Sequence, residues 1–535
     1  MKKFFSANYL RSVLNWLKPA DDLSASFIRR ANIFFTPQRI FLTTLILLLF
    51  HCIFALVLNS QLYRDVAGVY AWYASEFGRG IWWDEPISKV PPLNIFMGGL
   101  LVRCGVEAYT SVIILAVMFM WLTLLPLYKF LRLFVTARSA AWGCMLFIFA
   151  PKLLRFSGTG LLESTRDFFL VSAFYLLFKS WNCRCRWQHW VLFGITLGFL
   201  SISRGEGILF AGGLGIGLLL HPLAQWKSPE FVFKNIFRPV IITIIAALAI
   251  MSPVLIQNFK VTGYPVTDAR QIPGVRLIPG ADKCFTLKET QRTSDSRILQ
   301  YPPAETSGTS VWAGHLERLQ NFLPNLIRGA YEPYLILAIA GMIMMLRNRK
   351  WRKEFTFIVI YSILLSCSYI LSSVAHRYFI FMVPLFMVFT LYALSKLLES
   401  AARLNVRNIL LTIFGAVLFL QPLNAWLWML KSDPDEQKVK KFISQQRQLM
   451  LPENSPRKLI IHGDSRIIFR CGEDRLFHYG EYMPGVKYIT GFDLLFVSKK
   501  SKSDIAACLA RKDLRQVEAP FRKYAVFAPM EGRKK

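Results

Sequence analysis

An acidic residue lies near the start of the stretch LYRDVAGVYAWYASEFGRG, residues 62–80, which follows a long apolar run. Its apolar positions, which include Val66, Tyr70, Tyr73 and Phe77, follow the spacing of an amphipathic helix. The acid, Asp65, lies at the start of that pattern. A carboxylate there can act as a general base or as the N-cap of the helix. Both roles stay open for Asp65.

Two further acids lie four residues apart in LLESTRDFFLV. Glu163 and Asp167 would share one helix face, where like charges are mildly destabilising, and Arg166 could pair with Glu163. Ionisable residues near a membrane span are costly and are commonly functional. We therefore take both acids as candidate catalytic residues. The alternative is a local ion pair that marks the end of a helix.

Basic side chains that suit a phosphate group occur in three other motifs. Lys89 precedes the bend of KVPPL, Arg204 and Glu206 lie in SISRGEG, and His376 and Arg377 begin HRYFIF. The planar guanidinium of arginine binds two phosphate oxygens at once. A lysine near lipid head groups can instead simply extend its amine to water. A tight helical hairpin with a satisfied ion pair is the alternative for SRGEG.

The elements that must hold these residues are apolar. Hydrophobic residues form 54% of the 535 positions, in runs near the ~20 residues that cross a bilayer. We predict a polytopic α-helical membrane protein of about 11 transmembrane helices, at residues 39–58, 110–131, 139–154, 161–178, 189–203, 206–222, 238–257, 332–347, 354–373, 378–396 and 407–429.

Charge sets the orientation of these spans. The net charge of +31 could indicate nucleic acid, but the basic residues lie between apolar runs, as in cytoplasmic loops. We therefore predict no nucleic-acid partner, a cytoplasmic N-terminal segment at residues 1–38 and a membrane domain at residues 39–429. The outer loops are then 59–109 and 258–331, and every candidate residue above falls on the outer side.

An odd number of spans puts the C-terminus on the outer side, so we predict that residues 430–535 form a small extracytoplasmic α/β domain. Helices are predicted at residues 436–450 and 503–512, and strands at residues 457–463, 492–498 and 523–529.

These motifs, in this order, resemble the GT-C superfamily of polyprenyl-phosphate-sugar-dependent glycosyltransferases. That superfamily includes protein O-mannosyltransferases and bacterial aminoarabinose transferases. RDVAGVYA resembles the acid of the family's first outer loop, with Val66 where a second acid is common. KVPPL resembles the family's K-P-P-L bend with one residue inserted. LESTRDFFL, SRGEG and HRYFIFMVPLF resemble further family motifs, so the likeness runs from residue 40 to about 400.

The resemblance implies an integral membrane glycosyltransferase of the bacterial inner membrane. It would move a hexosyl or pentosyl group, with inversion, from a polyprenyl-phosphate carrier to a hydroxyl of a lipid, glycan or protein on the periplasmic side. Asp65 would be the general base, and Glu163 or Asp167 would orient the acceptor or hold a metal. The substrate-binding and phosphate-binding residues would be Tyr70, Lys89, Arg204, Glu206, His376 and Arg377. No metal ligands are identified, and a divalent metal ion is the one cofactor that the resemblance leaves room for.

Two other classes of membrane protein compete with this hypothesis. A lipid-linked glycan polymerase or ligase would use arginine and histidine, and Asp65 would be dispensable. A lipid or glycan transporter would place ionisable residues near the bilayer midplane and show paired halves. The charges here group at one face and no repeat is evident, which counts against transport.

Overall fold

The structure is a computed structural model. The described residues are 36–58, 63, 66, 70–80, 92–182, 186–223, 237–262, 265–267, 311–330, 332–346, 352–371, 376–403, 420–430, 434–450, 461–462, 494–499, 502–511, 514–522 and 524–530.

The described residues up to 430 are mostly helical. The α-helices are α1 (Pro37–Ile53), α2 (Ala71–Gly78), α3 (Pro92–Arg103), α4 (Ala108–Arg132), α5 (Ala137–Phe149), α6 (Pro151–Gly158), α7 (Glu163–Asn182), α8 (Trp187–Ser203), α9 (Gly207–Leu223), α10 (Arg238–Thr262), α11 (Val311–Ala330), α12 (Glu332–Leu346), α13 (Arg352–Leu371) and α14 (Met382–Arg403). A π-helix, Phe54–Leu58, extends α1, and a 3₁₀-helix, His376–Phe381, leads into α14. Residues 420–430 are also helical.

Several of these helices suit a membrane. Among the described residues, four are long and apolar enough to cross one, and the number rises to six if each of two bent pairs is one span. The four segments are Pro37–Leu58, Ala108–Arg132, Arg238–Lys260 and His376–Glu399. The first ten predicted spans coincide with described helices. The eleventh, 407–429, lies largely outside the described residues, so the count of eleven stays a prediction.

One predicted span is bent. The run at 139–154 is divided into α5 and α6, which meet at 57°. Pro151 begins α6, and a proline lacks the N–H that would continue the helix and clashes with the carbonyl four residues earlier. The bend directs the short helix α6, with Lys152 and Arg155, toward the 3₁₀-helix that carries His376.

Large apolar side chains cover the outside of the helical region. Ile245 on α10 is 62% exposed and Leu364 on α13 is 66% exposed, while the opposite faces of these helices are buried. Helices that are apolar all round are expected where the surroundings are lipid. This surface agrees with the predicted membrane protein.

The first predicted outer loop contains two helices: α2 lies in the predicted amphipathic stretch, and α3 begins within the KVPPL motif. The second predicted outer loop, 258–331, also contains a helix, which was not predicted. Its C-terminal part forms α11, which packs Phe322 and Leu326 against the core. Their spacing of four residues is that of one helix face.

Glycine permits close approach between α12 and α14. A Cβ on Gly341 would collide with the backbone carbonyl oxygen of Phe389. We expect Gly341→Ala to lower the midpoint of thermal unfolding in detergent, because overpacking costs about 1–3 kcal/mol. Gly215→Ala on α9 is the matched control, since nothing lies within 4 Å of its Cβ position. Equal midpoints for the two variants would contradict the close contact.

The tail has helices and strands at the predicted places. They are α15 (Pro434–Met450), β1 (Ile461–His462), β2 (Leu494–Ser498), α16 (Lys502–Leu509), β3 (Leu514–Val517) and β4 (Tyr524–Pro529). The four strands form one sheet in the order β1-β2-β4-β3. β1 is parallel to β2, and β4 is antiparallel to both β2 and β3. The strand β3 was not predicted from the sequence. Alternate residues of β2 pack on α15 and on α16. A location outside the membrane stays a prediction for this part.

Candidate active site

A buried arginine connects two motifs that lie 41 residues apart. Arg204 Nη1 donates to Glu163 Oε1 over 2.8 Å, and Arg204 Nε donates to Glu206 Oε1 over 2.6 Å. Glu163 is 1% exposed and Arg204 is 7% exposed. Charges at such depth are strongly unfavourable unless they are paired and hydrogen-bonded. The three side chains therefore form one ionic unit, which we call the Arg204 network.

Local structure places this network at a helix junction. Glu163 lies in the first turn of α7, while α8 ends at Ser203 and α9 begins at Gly207. A Cβ on Gly207 would collide with the carbonyl oxygen of Leu200, so glycine allows the tight turn that aims Arg204 at Glu163. The hairpin with a satisfied ion pair is thus present, and it also engages Glu163.

A second buried pair lies beside the first. Arg166 Nη2 donates to Asp167 Oδ1 over 2.8 Å, and both side chains are fully buried. The expected pairing of Arg166 with Glu163 is wrong, because Glu163 is held by Arg204 and the Arg166 guanidinium faces the 3₁₀-helix. There Arg166 Nη1 donates to the carbonyl oxygen of Tyr378 over 3.3 Å.

Two tyrosines complete the network, and neither was predicted as a site residue from the sequence. Tyr369 on α13 donates its hydroxyl to Glu206 Oε1 over 3.2 Å. Its ring stacks on that of Tyr378, with centroids 5.2 Å apart. The Arg204 guanidinium lies 5.5 Å from the centre of the Tyr378 ring, which suits a cation–π contact. Tyr378 could have been found from the sequence because it belongs to the motif HRYFIF. Tyr369 has no such signal, since it looks like any other aromatic residue of an apolar span.

The 3₁₀-helix brings His376 and Arg377 to the same region. The Arg377 guanidinium lies 5.3 Å from the centre of the Tyr378 ring and 5.9 Å from that of Tyr63. The His376 ring is 6.0 Å from the ring of Phe156 on α6. The structure therefore brings together five of the predicted residues through Tyr378 and its neighbours, namely Glu163, Asp167, Arg204, Glu206 and Arg377, with His376 adjacent.

Helix α3 is attached to this site by its first turn. Asn94 accepts a hydrogen bond of 2.8 Å from Thr165 Oγ1 and donates one of 3.5 Å to the carbonyl oxygen of Ser203. Asn94 closes the motif KVPPLN, whose Lys89 lies outside the described residues. The first turn of α3 is thus held against α7 and the end of α8.

Asp65 also lies outside the described residues. Its two possible roles, general base and N-cap, therefore stay predictions. Its described neighbours contact the helices of the site. The backbone N–H of Tyr63 donates to the Tyr109 hydroxyl over 3.2 Å, and Val66 is fully buried. Gly160, at φ +81°, would place a Cβ 3.0 Å from Val66 Cγ1. Tyr70, partly buried, precedes α2.

The described residues do not form a metal centre of ordinary composition. Among them no group of three or more His, Cys, Asp or Glu side chains could hold an ion. Glu163 Oε2 and Asp167 Oδ2 are buried without a hydrogen-bond partner among the described residues, but the other oxygen of each carboxylate is already paired with arginine. These two acids are therefore a poor fit to a divalent ion.

The fold has counterparts among solved structures. ArnT from Cupriavidus metallidurans bound to undecaprenyl phosphate is 12% identical, with a TM-score of 0.59 over 91% of this chain and 97% of that one. The Archaeoglobus fulgidus oligosaccharyltransferase AglB with an inhibitory peptide and a dolichol-phosphate is 12% identical, with a TM-score of 0.50 over 87% and 70%. The same archaeal enzyme complexed with Zn and sulfate matches at 12% identity, with a TM-score of 0.50 over 87% and 69%.

A scan against protein-family models and a search of curated proteins gave no match. The likeness is thus one of three-dimensional structure, and with ArnT it spans nearly the full length of both chains. The chain therefore shares the fold of ArnT and of AglB.

Proposed function

We propose that this protein is a membrane glycosyltransferase that transfers a sugar from a polyprenyl-phosphate carrier to an acceptor hydroxyl on the outer face of the membrane, with inversion. The observation that carries the proposal is the Arg204 network within a GT-C fold. Two comparison structures contain a polyprenyl-type phosphate, undecaprenyl phosphate in ArnT and dolichol-phosphate in AglB. A lipid-borne phosphate is therefore a ligand that this fold accommodates.

The cations of the site suit the leaving group. As the bond between the anomeric carbon and the phosphate oxygen breaks, its electron pair goes to the phosphate, and negative charge develops there. Arginine groups fixed in advance at that position stabilise the charge without reorganising. Arg204 is fixed by two carboxylates and Arg377 by its contact with Tyr378. Lys89, from the bend that Asn94 anchors, is the third proposed contact.

Asp65 is the proposed general base. Its carboxylate would take the proton of the acceptor hydroxyl as the acceptor oxygen attacks the anomeric carbon. Consecutive Cα atoms are about 3.8 Å apart, so the chain cannot carry Asp65 far from Tyr63 and Val66. Tyr63 lies beside Arg377, which supports a base close to the proposed phosphate site.

The other acids have supporting roles in the proposal. Glu163 orients Arg204 and holds the acceptor with its second carboxylate oxygen, and Asp167 keeps Arg166 in place below it. Glu206, His376 and Tyr70 complete the substrate cavity. We assign no step to a metal ion, because the described carboxylates are engaged by arginine.

The proposal is tested with purified protein and undecaprenyl-phosphate sugars labelled in the sugar. We expect label to move to acceptor and free undecaprenyl phosphate to appear in equal amount, only when a competent acceptor extract is present. A lipid transporter would instead move intact donor across proteoliposome membranes without releasing phosphate. Absence of release across a set of hexosyl and pentosyl donors, together with such movement, would overturn the proposal.

A further inference from the structure

The buried pair of Arg166 and Asp167 has no chemical step in the proposed function. Arg166 is fully buried, and its Nε and Nη2 both donate to Asp167 Oδ1, over 3.0 Å and 2.8 Å. Its guanidinium also lies 5.7 Å from the centres of the Phe210 and Phe381 rings, which belong to α9 and to the 3₁₀-helix. One edge of the guanidinium is thus occupied by a carboxylate, and the third nitrogen, Nη1, is directed elsewhere.

Stability alone is a weak reason for this ion pair. Burying two charges is costly, and replacing a buried pair by apolar side chains of similar volume is often neutral or stabilising. The pair is also local, because Arg166 and Asp167 are consecutive residues of α7, so the bond between them joins no separate elements. The contact that connects the pair to another part of the fold is made by Nη1.

Arg166 Nη1 connects α7 to the 3₁₀-helix, because it donates to the carbonyl oxygen of Tyr378 over 3.3 Å. Tyr378 directly follows Arg377, whose guanidinium lies 5.3 Å from the centre of the Tyr378 ring. Arg377 Nη2 also donates to the Tyr378 hydroxyl over 3.5 Å. The Tyr378 backbone therefore sets where its ring lies, and with it the support of the Arg377 guanidinium.

Helix α11 also packs against this 3₁₀-helix, but through apolar contacts. The rings of Phe322 and Phe379 have centroids 5.5 Å apart, and a Cβ on Gly329 would collide with the carbonyl oxygen of His376. Apolar packing is non-directional, whereas a hydrogen bond constrains the orientation of the carbonyl group that accepts it. Arg166 thus supplies a directional contact at Tyr378 that packing on α11 does not replace.

We infer that Arg166 is a positioning residue, which fixes the peptide group of Tyr378 and through it the guanidinium of Arg377. Asp167 is the counter-ion that orients Arg166, so this candidate catalytic acid has a positioning role instead of a chemical one. The inference rests on the proposed function, in which Arg377 stabilises the charge that develops on the leaving phosphate. A group fixed in advance acts on developing charge without reorganising, so its displacement should reduce the rate more than the affinity for donor.

The test uses the full-length protein in detergent and its Arg166→Met/Asp167→Asn variant. The two changes remove both buried charges and nearly keep the side-chain sizes, so they leave no unpaired ion, but they delete the bond to the Tyr378 carbonyl oxygen. With labelled undecaprenyl-phosphate sugar as donor, we expect kcat per mole of folded protein to fall by about tenfold or more, since a small misplacement can cost about 10²-fold. KM for the donor should change by less than about threefold, as for an interaction made mainly in the transition state.

Amide hydrogen exchange reports on the 3₁₀-helix without reference to activity. Peptides that cover residues 376–381 should exchange at least about threefold faster in the variant, because local opening there becomes easier, while peptides of α4 should not change. Tyr334→Phe is the matched control, since it removes a different buried bond to a carbonyl oxygen, that of Leu146 at 2.8 Å. It should change neither the exchange at 376–381 nor kcat.

Arg166→Lys keeps the test decisive if the double variant does not fold. It retains the charge pair with Asp167, but a compact ammonium lacks the planar fork that serves the Asp167 carboxylate and the Tyr378 carbonyl at once. Exchange at residues 376–381 should rise, and kcat should fall by about threefold, a smaller loss than in the double variant because the charge stays paired.

Combination with Arg377→Met traces the route of the effect. Arg377→Met alone should lower kcat, and the changes at 166 and 167 should then cost less than about twofold more, because residues that act as a unit are not additive. Any of three results would overturn the inference: unchanged exchange at residues 376–381, an unchanged kcat in the variants of Arg166, or fully additive losses with Arg377→Met. Absence of sugar transfer by the original protein would instead count against the proposed function, and the exchange measurement would still decide whether Arg166 holds the 3₁₀-helix.

Discussion

The Asp65→Asn variant is expected to lose sugar transfer by about 10²–10⁴-fold, the range that a positioned general base contributes. Asparagine keeps the size of the side chain but cannot accept the proton of the acceptor hydroxyl. Binding of undecaprenyl phosphate and the yield of folded protein should be unchanged, because neither depends on proton transfer. The measurement is the initial rate of label transfer from donor to acceptor at saturating donor.

The first outer loop offers a matched control for this prediction. Glu76 on α2 is an acid of the same loop, 3.6 Å from the exposed Arg79 in a surface ion pair. Glu76→Gln should leave the rate of transfer within about twofold, since surface ion pairs contribute little. If Asp65→Asn retains the original rate, the base is elsewhere and a polymerase-like or ligase-like site becomes the better description.

The second large effect concerns stability. Arg204→Ala is expected to lower the free energy of unfolding by about 3–5 kcal/mol, because it leaves the carboxylate of Glu163 buried without its charged partner. Arg79→Ala, which removes an exposed arginine from a surface pair, should cost about 0–1 kcal/mol. Denaturant unfolding in mixed micelles, followed by near-ultraviolet circular dichroism, gives both values.

A double-mutant cycle identifies the cause of that loss. Glu163→Gln removes the buried negative charge, so Arg204→Ala should cost less in a Glu163→Gln background than in the original protein. A difference of at least about 1 kcal/mol is the expected coupling between contacting residues. Strictly additive losses would mean that Arg204 acts through packing and that the ion pair with Glu163 is unimportant.

Much of the framework was predictable from local patterns. Apolar runs near the length of a bilayer span predicted the positions of α1, of α4 to α10 and of α12 to α14, and alternating apolar residues predicted β2 and β4 in the tail. Charged residues in apolar surroundings were also conspicuous one at a time, which is why Glu163, Arg204 and Arg377 were identified. Such signals are local in sequence, and the physical cost of burying a charge makes each of them stand out.

The pairings were not predictable, because they depend on which helices meet. Arg166 is three residues from Glu163, a spacing that suggests a pair, yet Arg204 from another hairpin occupies that carboxylate. Tyr369 looked like any aromatic of a span until its hydroxyl was found on Glu206.

The central claim is that a polyprenyl-phosphate sugar binds beside the Arg204 network with its anomeric carbon near Asp65. The most direct test is an experimental structure of the Asp65→Asn variant with a bound undecaprenyl-phosphate sugar. We predict phosphate oxygens within about 2.7–3.2 Å of arginine or lysine nitrogens of Arg204, Arg377 or Lys89, and the side chain at position 65 facing the anomeric carbon from the side opposite the phosphate. A head group bound away from these residues, or Glu163 in the place of Asp65, would contradict the account.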